Sequence, residues 1–208
     1  MGLDHADLHA STSRSPDGQT DESIRQQRRL EIVKAARELY EERGLSATAI
    51  SDIARRAGLS RTLMYHYFPG KDAITSAVLD DYIDDCIEAL KHWDNNRVQG
   101  QIEEALTNAV KVLRIVIFDN DPFYRDIHST ENAELYTEFI GRVAQRCADR
   151  LTNTTVRDYA QFHQVQIKHV PETFYILLVG LGNYLRRHPD ADDELIKDLI
   201  AQTLHMER

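Results

Sequence analysis

Cysteine is scarce in this 208-residue chain: Cys86 and Cys147 stand far apart, with no second thiol at a metal-ligand spacing. That excludes a disulfide framework and a zinc ribbon, and it makes a reducing cytoplasm the expected compartment. Glycine and proline are few, nine and five, well below the roughly 12% combined share of an average protein. Few turn formers mean few turns, which favours long helices over a many-stranded sandwich. No apolar run reaches the roughly 18 residues of a membrane span. The opening stretch, MGLDHADLHASTSRSPDGQTDE, lacks the basic and apolar regions of a signal peptide. Glycine-rich phosphate loops, a G-x-S-x-G elbow and an H-E-x-x-H helix are also missing. His163 and His169 near Glu172 form only a loose cluster that marks a loop. Asp119, Asp121 and His128 fit no metal-loop spacing. The chain is therefore read as a non-enzyme with no metal and no cofactor.

What is present is an uneven charge distribution. The net charge is −9, yet residues 23–71 hold ten bases against five acids, while residues 1–22 and 72–208 are acidic at −4 and −10. A local basic block is what steers a polyanion. The competing reading is that these arginines are solvated helix faces paired with nearby glutamates.

Hydrophobic periodicity predicts an all-α chain of nine to ten helices. Residues 1–22 read as a disordered tail. A first helix runs from Ser23 to a stop at Gly44, a second from about Ala49 to Ala57, and a third from the N-cap Ser60 to Tyr67. Pro69-Gly70 then precedes a long helix from Lys71 to Trp93. Further helices are expected at 101–118, 122–128, Thr130 to Leu151, Thr154 to Val165, Pro171 to His188, and from Asp190 onward, with 165–170 an extended connection. The domains are then a tail (1–22), a head (23–71) and a helical body (72–208).

Residues 48–71, TAISDIARRAGLSRTLMYHYFPGK, carry the most information. Two short helices flank a turn at Gly58, with Ala54 and Ala57 where the helices cross. This is a helix-turn-helix, whose second helix enters the DNA major groove. Arg61, Thr62, Tyr65, His66 and Tyr67 supply hydrogen-bonding groups for its outer face, while Met64 and Phe68 read as core.

The stretch from Gly58 to Lys71, with Asp52-Ile-Ala54 and Ala35 to Gly44 before it, resembles the TetR family of bacterial transcriptional regulators over residues 26–80. The resemblance implies a DNA-binding regulator, a repressor released from its operator by a small molecule. Arg61 and Thr62 then fall where the family reads bases. Tyr65, His66 and Tyr67 fall on the face that meets phosphates and nearby bases. Lys71 falls where a lysine holds the DNA backbone, and Thr48 where a hydroxyl caps the second helix and meets a phosphate. Ala49 and Ser51 depart from the family pattern.

The resemblance also implies a homodimer on a double-stranded operator, since a single head binds weakly. Leu177, Gly180, Leu181 and Leu185, with Leu195 and Leu199 of the last helix, are the candidate interface. Gly180 and Gly182 would permit close helix approach. A ligand cavity is expected among Trp93, Phe118, Phe123, Tyr124, His128, Tyr136, Phe139, Phe162, His163, Phe174 and Tyr175. The acidic balance leans toward a cationic or neutral ligand. The long helix, about 34 Å from Lys71 to Trp93, would link pocket to head. The alternative is a DNA-binding regulator without a pocket, controlled by a protein partner.

Overall fold

The computed structural model describes residues 16–98, 100–118, 122–161 and 164–206, and every regular element among them is helical. Helix α1 spans Pro16–Arg43, α2 Ile50–Arg56, α3 Arg61–Tyr67 and α4 Lys71–Asn96. The body adds α5 (Ile102–Ile117), α6 (Pro122–His128), α7 (Ala133–Leu151), α8 (Arg157–Tyr159), α9 (Val170–Arg187) and α10 (Asp193–Thr203).

Helix α1 begins seven residues before the Ser23 that periodicity marks. Pro16 stands at its first position, where a missing N–H costs nothing. Residues 21–28 are exposed, so no apolar repeat announces this part of the helix. The remainder of the expected tail, 1–15, lies outside the described residues. Ile32, Ala36, Leu39 and Tyr40 are buried, and Gly44 at φ +86° ends the helix, its N–H donating to the Tyr40 carbonyl at 2.8 Å. Any side chain at position 44 would be strained in this left-handed backbone. A Cβ there would lie 2.7 Å from Asp126 Oδ2 on α6, and the same oxygen accepts from Leu45 N–H. The α1–α2 loop is thus held by the body.

In the head, Ile53 and Ala54 of α2 and Met64 of α3 point inward, joined by Phe68. Gly58 turns the chain at φ +67°, and Ser60 caps α3 by accepting from Leu63 N–H at 3.1 Å. Helix α4 buries Ile74, Val78, Leu79, Tyr82, Ile83 and Cys86. One apolar core runs from Ile32 and Met64 through Val78 and Tyr82 to Phe123 and Phe139, so packing is continuous across position 71/72. A second cluster joins Val110 and Ile117 of α5 to Leu181 and Leu185 of α9 and Ile196 of α10.

The expected helix from Thr154 to Val165 is not formed as such. Helix α7 passes into a π-type turn, Thr152–Val156, and ends as α8 at Tyr159. Thr154 and Thr155 drive the change: their hydroxyls donate to the Arg150 carbonyl at 2.9 Å and to Asp94 Oδ1 at 2.6 Å. Such bonds loosen regular helix, and no residue of α8 is buried. Residues 164–169 form no regular element, in keeping with a connection. Helix α10 starts at Asp193, capped by Asp192, rather than at Asp190.

Candidate nucleic-acid interface

Helix α3 is seven residues long, yet its two sides differ sharply. Met64 and the following Phe68 anchor one side in the core, while Arg61, Thr62, Tyr65 and His66 are exposed on the other. Leu63 is exposed beside them, a residue the sequence reading passed over although it falls off the Met64–Phe68 stripe. An apolar side chain there suits a thymine methyl. Tyr67 is half-buried, and its carbonyl accepts from the Arg29 guanidinium. Arg29 also covers the Phe68 ring at 4.1 Å, so it clamps α1 to the end of α3. Sequence reasoning counted Arg29 only as a charge.

Two assignments need correction. Thr48 is 1% exposed and its hydroxyl donates to the Gly44 carbonyl at 2.8 Å. The α2 N-cap is Ala49, whose N–H donates to Asp52 at 3.2 Å, so Thr48 fastens the loop and offers no phosphate contact through its side chain. Lys71 also turns inward. Its ammonium donates to the Leu45 carbonyl at 2.7 Å, and burial holds its pKa below the usual amine range.

The basic block divides in three. Arg28, Arg37, Arg43, Arg55 and Arg56 pair with carboxylates. Arg37 alone meets Glu41, Asp81 and Asp85, tying α1 to α4. Arg29 and Lys71 are taken by carbonyls. Among the described residues, Arg25, Lys34 and Arg61 carry no such partner. The paired-face reading thus accounts for half of the block, and Arg61 remains free at the first position of α3.

The body divides both remaining sets. Phe162 and His163 lie outside the described residues, as do Asp119 and Asp121. Tyr124, His128, Tyr136 and Phe139 pack ring against ring, stacked, edge-on or tilted, with centroids 5.2–5.9 Å apart, and extend through Phe123 and Tyr82 to Tyr40. Trp93, Phe174 and Tyr175 belong to a separate cluster, and the Trp93 indole donates to the Ala105 carbonyl at 2.9 Å. Phe118 packs with the α5–α9–α10 cluster. The candidates therefore do not surround one cavity. Of them, only Tyr124 borders the space of about 150 Å³ between α1, α4 and α5, beside Arg37, Tyr82 and Cys86. In the aromatic cluster the Tyr136 hydroxyl is buried without a hydrogen-bond partner among the described residues, and the Arg186 guanidinium lies 4.0 Å above the Tyr136 ring. Burial, with Arg186 nearby, holds the His128 pKa below the ordinary imidazole range.

On α9, Leu181 and Leu185 are buried within the subunit, and Leu177 packs with them. Leu181 and Leu185 thus belong to the chain's own core, while Leu177 is half-buried against them. Gly182 does allow close approach, but to Ile140 of α7, 2.5 Å from where its Cβ would sit. Among its less polar residues α9 exposes Ile176 (68%), Gly180 and Tyr184, with Glu172, Asn183 and Arg187 exposed around them, and α10 adds Leu195 (41%), beside the half-buried Leu199. Gly180 has open space around it. No helix among the described residues is long and apolar enough to cross a membrane.

Residues 32–78 match the family described as bacterial regulatory proteins, tetR family. The transcriptional repressor KstR2 of Rhodococcus jostii (strain RHA1) is 37% identical over 71 residues, 34% of this chain and 35% of that one. The chain thus spans about a third of the length of that relative. Over the whole fold it is similar to the TetR family repressor AlkX of Dietzia sp. (25% identity, TM-score 0.62, covering 85% of this chain and 95% of that one). It is also similar to RolR in complex with resorcinol (20% identity, TM-score 0.58, covering 88% and 89%). The helix-turn-helix geometry, the match across it and the shared all-helical architecture agree: residues 32–78 are the DNA-binding head of the bacterial tetR regulatory family, carried on a fold similar to that of a TetR family repressor.

Proposed function

We propose that the chain is a transcriptional repressor that grips an operator as a homodimer through α3 and is released by a neutral or cationic small molecule. The observation that carries this reading is the face of α3: Arg61, Thr62, Tyr65 and His66 are exposed on a helix whose other side is fixed in the core. A rigid helix with free donors at its start is what base-edge readout requires. In the dimer, Ile176, Gly180 and Tyr184 of α9 meet the partner, with Leu195 of α10 beside them, replacing the buried leucines as interface.

Release would work through contacts that tie head to body. Asp126 of α6 and Lys71 of α4 both hold the Leu45 backbone, Arg37 is shared by Asp81 and Asp85, and Tyr82 donates to Glu41. A ligand that parts the aromatic cluster would shift α6 and α4, and with them the spacing of two heads. A coupling of about 1–3 kcal/mol is typical of such linkage. The unpartnered Tyr136 hydroxyl supports an opening there, because a buried hydroxyl without an acceptor invites one. RolR, a neighbour in fold, was solved with resorcinol.

The closely packed aromatics favour a second reading, a repressor without a small-molecule pocket that answers to a protein partner. Selection of duplexes from a random pool by the purified chain tests DNA recognition. An enriched, two-fold symmetric sequence is expected, and no enrichment would overturn it. Small phenols, resorcinol included, then separate the two modes of control. Loss of the selected duplex on adding one of them supports release by ligand, and unchanged binding with all of them supports the protein partner.

A further inference from the structure

Residues 21–28 of α1 are exposed throughout, because the face that docks the helix begins only at Arg29 and Ile32. Within this projection, Ser23-Ile24-Arg25-Gln26-Gln27-Arg28 carries two arginines and no acid. Arg25 precedes Arg29 by one turn on the same helix face. Arg29 is the residue that grips the Tyr67 carbonyl and covers Phe68 at the end of α3. The projection therefore leaves the head beside the end of the candidate reading helix, with the Arg25 backbone about 6 Å further out. Arg25 has no acidic partner among the described residues. Arg28 meets only the exposed Glu31, at 2.6 Å, a pairing that a phosphate can displace. Asp21 and Glu22 bound the cationic stretch on its outer side, so it is about one turn long and suits one or two phosphates.

We propose that this turn is a second duplex contact: Arg25 and Arg28 bind phosphates just outside the bases covered by α3, lengthening the footprint without adding base preference. Guanidinium and phosphate form short charge-assisted bonds, and such contacts position a protein without reading sequence. The inference rests on the reading of α3 as the base-contacting helix.

The test compares the full chain with Arg25→Gln/Arg28→Gln, glutamine keeping good helix propensity. Both are titrated on the duplex that the wild-type chain selects, once with long flanks and once trimmed to the outer edges of the α3 half-sites. On the long duplex, the slope of log affinity against log salt should be shallower for the variant by about 0.9 per lost phosphate contact. Its preference for operator over scrambled duplex should be unchanged, and on the trimmed duplex the two proteins should converge. An unchanged slope on the long duplex, or a deficit that persists on the trimmed one, overturns the proposal. Failure of the α3 reading looks different: a wild-type chain with no operator preference at any flank length, which would overturn this inference with it.

Discussion

Helices α3 and α9 each bury one stripe and leave another bare, but the bare stripes are chemically opposite. Helix α3 shows Arg61, Thr62, Tyr65 and His66, whereas α9 shows Ile176, Gly180 and Tyr184. The first is a surface of donors and acceptors suited to phosphate and base edges. The second has an apolar centre rimmed by Glu172, Asn183 and Arg187, the make-up of a face that takes a partner. Neither surface suffices alone, since one head makes too few contacts and a dimer without heads reads nothing. The proposed dimer needs both on one rigid body, and a single apolar core does run from Ile32 to Phe139.

The largest expected effect breaks the apolar side of this comparison. Ile176→Asp with Leu195→Asp would set like charges against each other across the dimer, at a cost of several kcal/mol. Sedimentation should show monomers, with operator affinity down by about a hundredfold or more, while Leu63→Asp on α3 should leave the oligomeric state intact. Persistence of dimers in the double variant would remove α9 and α10 from the interface. Next comes the rigidity of the link. Gly44→Ala forces a Cβ into positive φ and against Asp126, so chemical denaturation should register a loss of about 1–3 kcal/mol. A smaller change is expected for Lys71→Ala. It removes the bond to the Leu45 carbonyl, worth about 0.5–1.5 kcal/mol, and should weaken selected and scrambled duplexes alike in a binding titration. A loss confined to the selected duplex would give Lys71 a reading role instead.

The smallest effect is a pH dependence in the body. The folded chain holds His128 below the imidazole value of about 6.5 that applies when unfolded. Between those two values the unfolded chain binds more protons, so stability rises with pH there and falls as acid is added below about pH 6.5. Stability curves for wild type and His128→Asn should part in that window, by less than about 1.4 kcal/mol per pH unit. Parallel curves would show that His128 titrates alike in both states.

Local chemistry was legible and partnership was not. Gly58, Ser60, Met64 and Phe68 announce the turn, cap and core of α3 because each acts within a few residues of itself. Thr48 misleads for the same reason. A hydroxyl ahead of a helix reads as a cap, but the loop curls so that it reaches Gly44 behind it. Leu177, Leu181 and Leu185 recur at helical spacing whether they meet their own α5 and α10 or a second copy, and periodicity cannot tell these apart. Aromatic residues likewise look the same in sequence whether they line a cavity or pack ring against ring, as Tyr124, His128 and Tyr136 do. The resemblance located the family because its motif lies in the local part. A ligand cavity or a dimer seam would depend on long-range packing that no short motif encodes.

The base-reading role of α3 is tested most directly by titrating wild type and Arg61→Ala against the selected duplex and a scrambled one at the same salt concentration. The account predicts a loss of about 1–3 kcal/mol on the selected duplex and little change on the scrambled one. Equal losses on both would make Arg61 a backbone contact and contradict the account.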